Sequence, residues 1–124
     1  MGEYGFFVAH LRFIAAKTDT SEPEIAMMVA ELGRIADAVE ACREITVPFD
    51  KLRIAARGLA GVAGFLQEQI LPEAVTAGNK AGEIQIRWVI DTSMWLMMKL
   101  TALTELGGND EPFVLLLPAP LSDD

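Results

Sequence analysis

Apolar residues recur at intervals of three and four along four segments of the chain, which is the spacing of one face of an α-helix. The pattern predicts helices over residues 3–17, 22–45, 48–71 and 83–106. Turn-forming residues separate these segments, with Pro48 placed to open the third helix and glycine and asparagine on both sides of the fourth. We therefore expect residues 1–124 to form one all-α domain, a four-helix bundle-like fold with an extended tail over 107–124.

Two local signals refine the helix ends. Ser21 and Glu24 have the spacing of a capping box at the start of the second helix. Pro72 lacks a backbone N–H, so it must end or kink the third helix.

The tail contains five consecutive apolar residues, 113–117, between Pro112 and Pro118. The run is too short for a helix and is typical of extended chain. Because such a segment does not favour water, we expect it to lie along helices of its own subunit or of a neighbour.

The fourth predicted helix is apolar around its whole circumference. Such a helix is either covered completely by its own chain, or shows one face to its own core and another to a partner. We favour the second interpretation by a small margin, because tryptophan and methionine suit a contact surface, although both are also ordinary core residues. The predicted interface, for self-association or for a protein partner, consists of Trp88, Met94, Trp95, Met97, Met98, Phe113, Leu115 and Leu117.

The third predicted helix carries Gly58, Gly61 and Gly64 three residues apart. Glycine inside a helix is costly, so three of them indicate a close approach by another element, most simply within the domain. The strand, turn and lysine of phosphate-binding glycine loops are missing from this pattern.

Four of the ten basic residues lie close together in sequence: Arg43, Lys51, Arg53 and Arg57. They are candidates for contacting an anion or a nucleic acid. The alternative, which we favour, is a solvated face paired with Asp50 and Glu44.

The chemistry-bearing residues do not form a recognisable catalytic set. His10 and Cys42 are the one histidine and the one cysteine, and no serine has the context of a nucleophile. Glu83, Arg87 and Asp91 step by four along the fourth helix, which is typical of a structural ion-pair ladder. We assign no catalytic, cofactor-binding or metal-binding residue and expect no enzymatic activity; were the chain an enzyme, Asp91 would be the carboxylate to suspect.

The net charge and the composition limit the classes of partner and the cellular location that we expect. A net charge of −8 repels nucleic acid at long range, so any nucleic-acid contact would need a local basic patch. A single cysteine excludes an internal disulfide and suits a reducing cytoplasm, where we expect the protein to reside. No uncharged run approaches the roughly 20 residues that span a bilayer, and we see no secretory leader, so we expect no membrane association.

The size, the helix pattern and the small patch of Lys51, Arg53 and Arg57 resemble the small helical subunits of multi-subunit CRISPR effector complexes. The resemblance covers the whole chain and implies a subunit that stacks along a guide-RNA backbone, with these three residues as basic contacts. The charge of −8 departs from what that role favours.

These observations predict a non-enzymatic interaction or assembly subunit, of which a repeated subunit of a larger ribonucleoprotein complex is one form. A small acidic inhibitor, immunity or chaperone-type protein that binds one protein partner is the alternative. A small enzyme without a recognisable motif is the third class.

Overall fold

The computed structural model describes residues 4–42, 44–47, 49–105 and 113–116, and in them the chain is predominantly helical. The helices are α1 (Gly5–Lys17), α2 (Pro23–Cys42), α3 (Leu52–Phe65), α4 (Leu71–Thr76) and α5 (Lys80–Glu105). A 3-10 turn (Phe49–Lys51) leads into α3, and a π-helical turn (Leu66–Ile70) joins α3 to α4. Residues 49–76 therefore form one continuous helical segment, so the four predicted helices are present and the all-α class is confirmed.

The second helix is shorter than predicted, because its last turn is replaced by a strand. Helix α2 ends at Cys42, and Glu44–Val47 forms β1, which pairs antiparallel with β2 (Phe113–Leu116) in the tail. Ile45 and Val47 alternate toward the core and are each 1% exposed. Two β-branched residues at this alternation, followed by a proline, favour strand over helix, so the prediction of helix at residues 44–45 was wrong. The extended conformation predicted for the tail is confirmed over Phe113–Leu116.

Pro72 does not end the third helical segment but changes its hydrogen bonding. The N–H of Leu71 bonds the carbonyl of Leu66, five residues earlier, in the π-helical turn. Because proline has no N–H and its ring crowds the carbonyl four residues back, widening the preceding turn lets the helix continue to Thr76.

The helices pack as a ring, with α1 against α2, α2 against α3, α3 against α5 and α5 against α1. The largest interface is between α3 and α5. The inner sides of the helices supply a single apolar core whose most deeply buried members include Phe7, Leu11, Leu52, Leu59, Leu66, Val89, Leu96 and Leu100.

The close approach predicted from the glycines occurs at one of the three. A Cβ at Gly58 would lie 3.2 Å from both Cγ and Cδ2 of Leu32, so α2 and α3 are in tight contact there. A Cβ at Gly61 or Gly64 would meet nothing within 4 Å. The predicted capping box is not the arrangement at the start of α2, since the Ser21 N–H donates to Asp19 Oδ1 at 2.9 Å and Glu24 pairs with Arg57 of α3.

Candidate interaction surface on helix α5

Helix α5 buries one side in the core and exposes the opposite side. Between Ile84 and Met98, at about 100° per residue, the six exposed residues fall within a sector of about 100°, and we call this surface the outer face: Ile84, Arg87, Asp91, Met94, Trp95 and Met98. From Ile84 to Met98 the face is about 21 Å long at 1.5 Å per residue.

The outer face is rich in large apolar side chains that are partly exposed in the described structure. The exposed fractions are 57% for Ile84, 39% for Met94, 37% for Trp95 and 63% for Met98. The inner side of the same helix holds Val89, Leu96 and Leu100, each at most 1% exposed. Helix α5 is therefore not covered completely by the described part of the chain, and the predicted contact of its second face with a partner stays a prediction.

Two residues of the predicted interface are partly buried against the core of the domain. Trp88 stacks on Tyr4 with ring centroids 6.0 Å apart and makes an edge contact with Phe7 at 6.4 Å. Trp88 and Met97 are partly buried and pack against the core cluster. Tyr4 and Phe7 thus cover part of the Trp88 ring, and a contact of Trp88 or Met97 with a partner stays a prediction.

For the tail residues of the predicted interface, the structure describes the backbone of Phe113 and Leu115. Phe113 and Leu115 lie in β2, opposite Val47 and Ile45 of β1, and their side chains lie outside the described part of the structure. Leu117 lies outside the described residues altogether. Pairing with β1 places the β2 backbone beside the end of α2.

Two charged side chains stand among the apolar residues of the outer face. Arg87 donates from Nε and Nη2 to Glu83 Oε1, at 3.2 and 3.1 Å, which confirms the first step of the predicted ion-pair ladder. The second step is not formed: Asp91 is exposed and has no ion pair with any residue that the structure describes. Asp91 is therefore not buried between the two tryptophans, and its carboxylate remains accessible to a group from outside.

A shallow depression of about 280 Å³ adjoins the outer face and is lined by Gln67, Leu71, Arg87, Ile90, Asp91 and Met94. It lies beside the π-helical turn, a type of irregularity that is frequent at functional sites. Arg87, Asp91 and Met94 thus belong both to the depression and to the outer face.

The sequence-predicted basic residues do not form an open cationic patch in the described part of the chain. Arg57 pairs with Glu24, and Lys51 Nζ lies 4.0 Å from Asp50 Oδ2. Arg53 is exposed, and Arg43 lies outside the described residues. Of the expected pairs with Asp50 and Glu44, the described residues show the one between Lys51 and Asp50, while Arg57 pairs with Glu24 of α2 instead. A contact of these basic residues with an anion stays a prediction.

Sequence reasoning missed an apolar groove of about 300 Å³ between α1, α2 and α3. Its walls include Ile14, Ile25, Met28 and Val62, with Gly58 and Gly61 along one side. The glycines of α3 were the sequence signal for this groove. Their spacing alone does not distinguish a close helix contact, as at Gly58, from open space, as at Gly61.

Other polar groups of the described chain serve local structure. The His10 imidazole donates from Nδ1 to the Phe6 carbonyl at 2.6 Å, in its own helix.

Arg12 donates to Asp37 at 2.9 Å and to Glu40 at 2.8 Å, joining α1 to α2. Hydrogen bonds from Arg12 to Asp37 and then to Glu40 raise the pKa of the guanidinium above its ordinary value. Because folding raises the pKa of Arg12, the stabilisation that comes from its protonated form is fully present below the ordinary pKa of arginine. This stabilisation is lost only as the pH rises through the raised pKa, far above neutrality.

Within the described residues, no three histidine, cysteine or acidic side chains are grouped so that they could hold a metal ion. None of the helices described has both the length and the apolar character needed to cross a bilayer. Comparison with protein families, with curated proteins and with solved structures finds no match to this chain.

Proposed function

We propose that this protein is a non-enzymatic interaction or assembly subunit that binds a protein partner through the outer face of α5. The observation that carries the proposal is the exposure of Ile84, Met94, Trp95 and Met98 in one sector of a single helix. Large apolar side chains scattered singly over a surface are ordinary, whereas a group such as Met94, Trp95 and Met98, which lie within about one turn of each other, marks a site of interaction.

The chemistry of the outer face matches the contact residues of protein interfaces. Tryptophan, methionine and arginine are enriched there, and the face contains all three types. The Trp95 ring is 37% exposed, and Lys99 of the same helix makes a cation–π contact with it, with Nζ 5.4 Å from the ring centroid. A ring presented in this way can fill a pocket on a partner at little cost in conformational entropy.

The spacing of the apolar residues also matches a known mode of recognition. Met94 and Met98 are one turn apart, and Trp95 lies beside them on the same sector. Anchors one turn apart are how an amphipathic helix binds a groove or a second helix.

A protein partner accounts for this surface better than a nucleic acid does. The outer face carries one arginine and one aspartate. Lys51 before α3 and Arg57 in α3 are paired with carboxylates, whereas Arg53 is exposed. The net charge of −8 opposes long-range attraction to a phosphate backbone. An inhibitor, immunity or chaperone-type role remains compatible with the proposal, but its contacts would then be made by the apolar outer face and not by an acidic surface.

Photo-crosslinking at matched positions tests the proposal in the organism that produces the protein. Met94 on α5 and Met27 on α2 are both 39% exposed, so a photo-reactive amino acid at either position is equally accessible. We expect a discrete covalent adduct from position 94 and none above background from position 27. A second substitution, Met98→Glu, should abolish the adduct from position 94, because a charge in the contact prevents docking.

Equal crosslinking from positions 94 and 27, or an adduct from position 94 that Met98→Glu leaves unchanged, would contradict the proposal. Circular dichroism of each variant provides the control, since both positions are solvent-exposed and the helical spectrum should be unchanged.

A further inference from the structure

Resting on the proposed function, we infer that the partner of the outer face is a second copy of this chain, packed with the two α5 helices antiparallel so that Arg87 of each copy faces Asp91 of the other. The order of charges on the outer face favours both this partner and this register of the contact.

The two charges make the outer face self-complementary in one orientation. Arg87 and Asp91 are one turn apart near the middle of the sector. In a two-fold symmetric pair with parallel helices, each residue meets its own copy, which places arginine against arginine and aspartate against aspartate. In an antiparallel pair the order of the charges is reversed on the second copy, so that opposite charges can meet twice.

Among antiparallel registers that differ by one turn, the charges select one. A shift of one turn in one direction brings Asp91 against Asp91 of the second copy, and a shift in the other direction brings Arg87 against Arg87. The intermediate register pairs Arg87 with Asp91 at both symmetric positions. Like charges in contact cost considerably more than rim charges contribute, so repulsion excludes the neighbouring registers.

The state of these two side chains in the single chain leaves them available for this contact. Asp91 has no ion pair within the described residues. Arg87 uses Nε and Nη2 for Glu83, and the fork of a guanidinium carries further donors. The second copy would thus supply the partner that Asp91 lacks.

The same register brings apolar residues together. Ile84 of one copy lies opposite Met94 of the other, since both are one turn outside the charged pair. Trp95 and Met98 then lie opposite Glu83 and Lys80 in the first turn of α5 in the second copy, where they can pack on the apolar stems of these two side chains. The contact would thus bury large hydrophobic residues of the outer face from both copies.

The size of the face indicates a reversible dimer. A stable interface of standard size takes roughly 800 Å² from each partner. A helix face about 21 Å long and about 10 Å wide has an area of roughly 210 Å², which is well below that value. We therefore expect a dimer that dissociates on dilution.

Charge reversal followed by exchange tests the register. Arg87→Asp places aspartate against aspartate, and Asp91→Arg places arginine against arginine, so each single variant should weaken dimerisation at least about tenfold in sedimentation equilibrium. The double variant, Arg87→Asp with Asp91→Arg, restores two opposite-charge pairs in the antiparallel register and should return the dissociation constant to within about threefold of the original. Arg53→Asp, an exposed arginine on α3, is the matched control and should change nothing.

Each outcome decides the inference. A chain that stays monomeric at its highest soluble concentration overturns it, as does a double variant that remains as weak as the single variants. Single reversals without effect also overturn it. In every one of these cases the crosslinks from position 94 can persist with a different protein, so failure of the self-pairing is distinguishable from failure of the proposed function.

Discussion

At the scale of single residues, Trp88 and Trp95 show that helical spacing predicts the direction of a side chain around its helix but not which neighbours cover it. They are seven residues apart, so their directions around α5 differ by only about 20°. The sequence therefore placed both on one surface and predicted the same role for both. Their surroundings differ because α1 lies beside α5 at the height of Trp88, where Tyr4 and Phe7 contact its ring, and Trp95 is 37% exposed.

Replacing each tryptophan by alanine should separate these roles. Trp88→Ala removes a ring from the core cluster and should lower the free energy of unfolding by about 3 kcal/mol. Trp95→Ala removes an exposed ring and should change the free energy of unfolding by no more than about 0.5 kcal/mol, measured on dilute protein so that association does not contribute. Urea unfolding followed by circular dichroism measures both. Similar losses for the two variants would show that Trp95 is part of the core.

Local charge pairs could be predicted from sequence, and distant ones could not. Glu83 and Arg87 are four residues apart on one helix, where spacing alone brings them together. Arg57 and Glu24 lie on different helices, 33 residues apart, and so depend on the packing of α3 against α2. This is why the sequence left open whether the arginines of α3 form a free patch.

At the scale of elements, the helices follow from periodicity and the strand does not. Four residues, Glu44–Val47, are too few to define a period, and their partner strand begins at Phe113, far along the chain. The sequence contains the alternation of Ile45 and Val47, but not the neighbour that makes it a strand. The π-helical turn has a local cause in Pro72, although the alternatives of an ending or a kink were equally consistent with that residue.

The glycines of α3 provide a matched test of the packing between α2 and α3. Gly61→Ala should raise the free energy of unfolding by about 0.5–1 kcal/mol, because the added Cβ meets nothing within 4 Å and alanine restricts the unfolded chain. Gly58→Ala should lose that gain or destabilise, because its Cβ would lie 3.2 Å from the Leu32 side chain. Thermal or urea unfolding of the two variants checks the order. If Gly58→Ala were the more stable of the two, the close approach at Gly58 would be wrong.

At the scale of the whole molecule, the described chain forms one apolar core and also exposes large apolar side chains to solvent. Helix α5 supplies Val89, Leu96 and Leu100 to the interior, and presents Met94, Trp95 and Met98 to solvent. The sequence could predict that two apolar faces exist, but it could not say which residues the neighbouring helices cover. Of the proposed contact residues, the structure retains these three exposed side chains and adds Ile84, which periodicity alone had not singled out.

Footprinting of the methionines across a dilution series tests most directly whether the outer face is where the molecule assembles. Hydroxyl radicals oxidise exposed methionine, and Met94 and Met98 lie on the outer face while Met27 lies on α2 with the same 39% exposure as Met94. We expect the oxidation rates of Met94 and Met98 to fall as the protein concentration rises, with that of Met27 unchanged. Rates at Met94 and Met98 that stay constant at every concentration, or protection that appears at Met27 instead, would contradict self-association through this face.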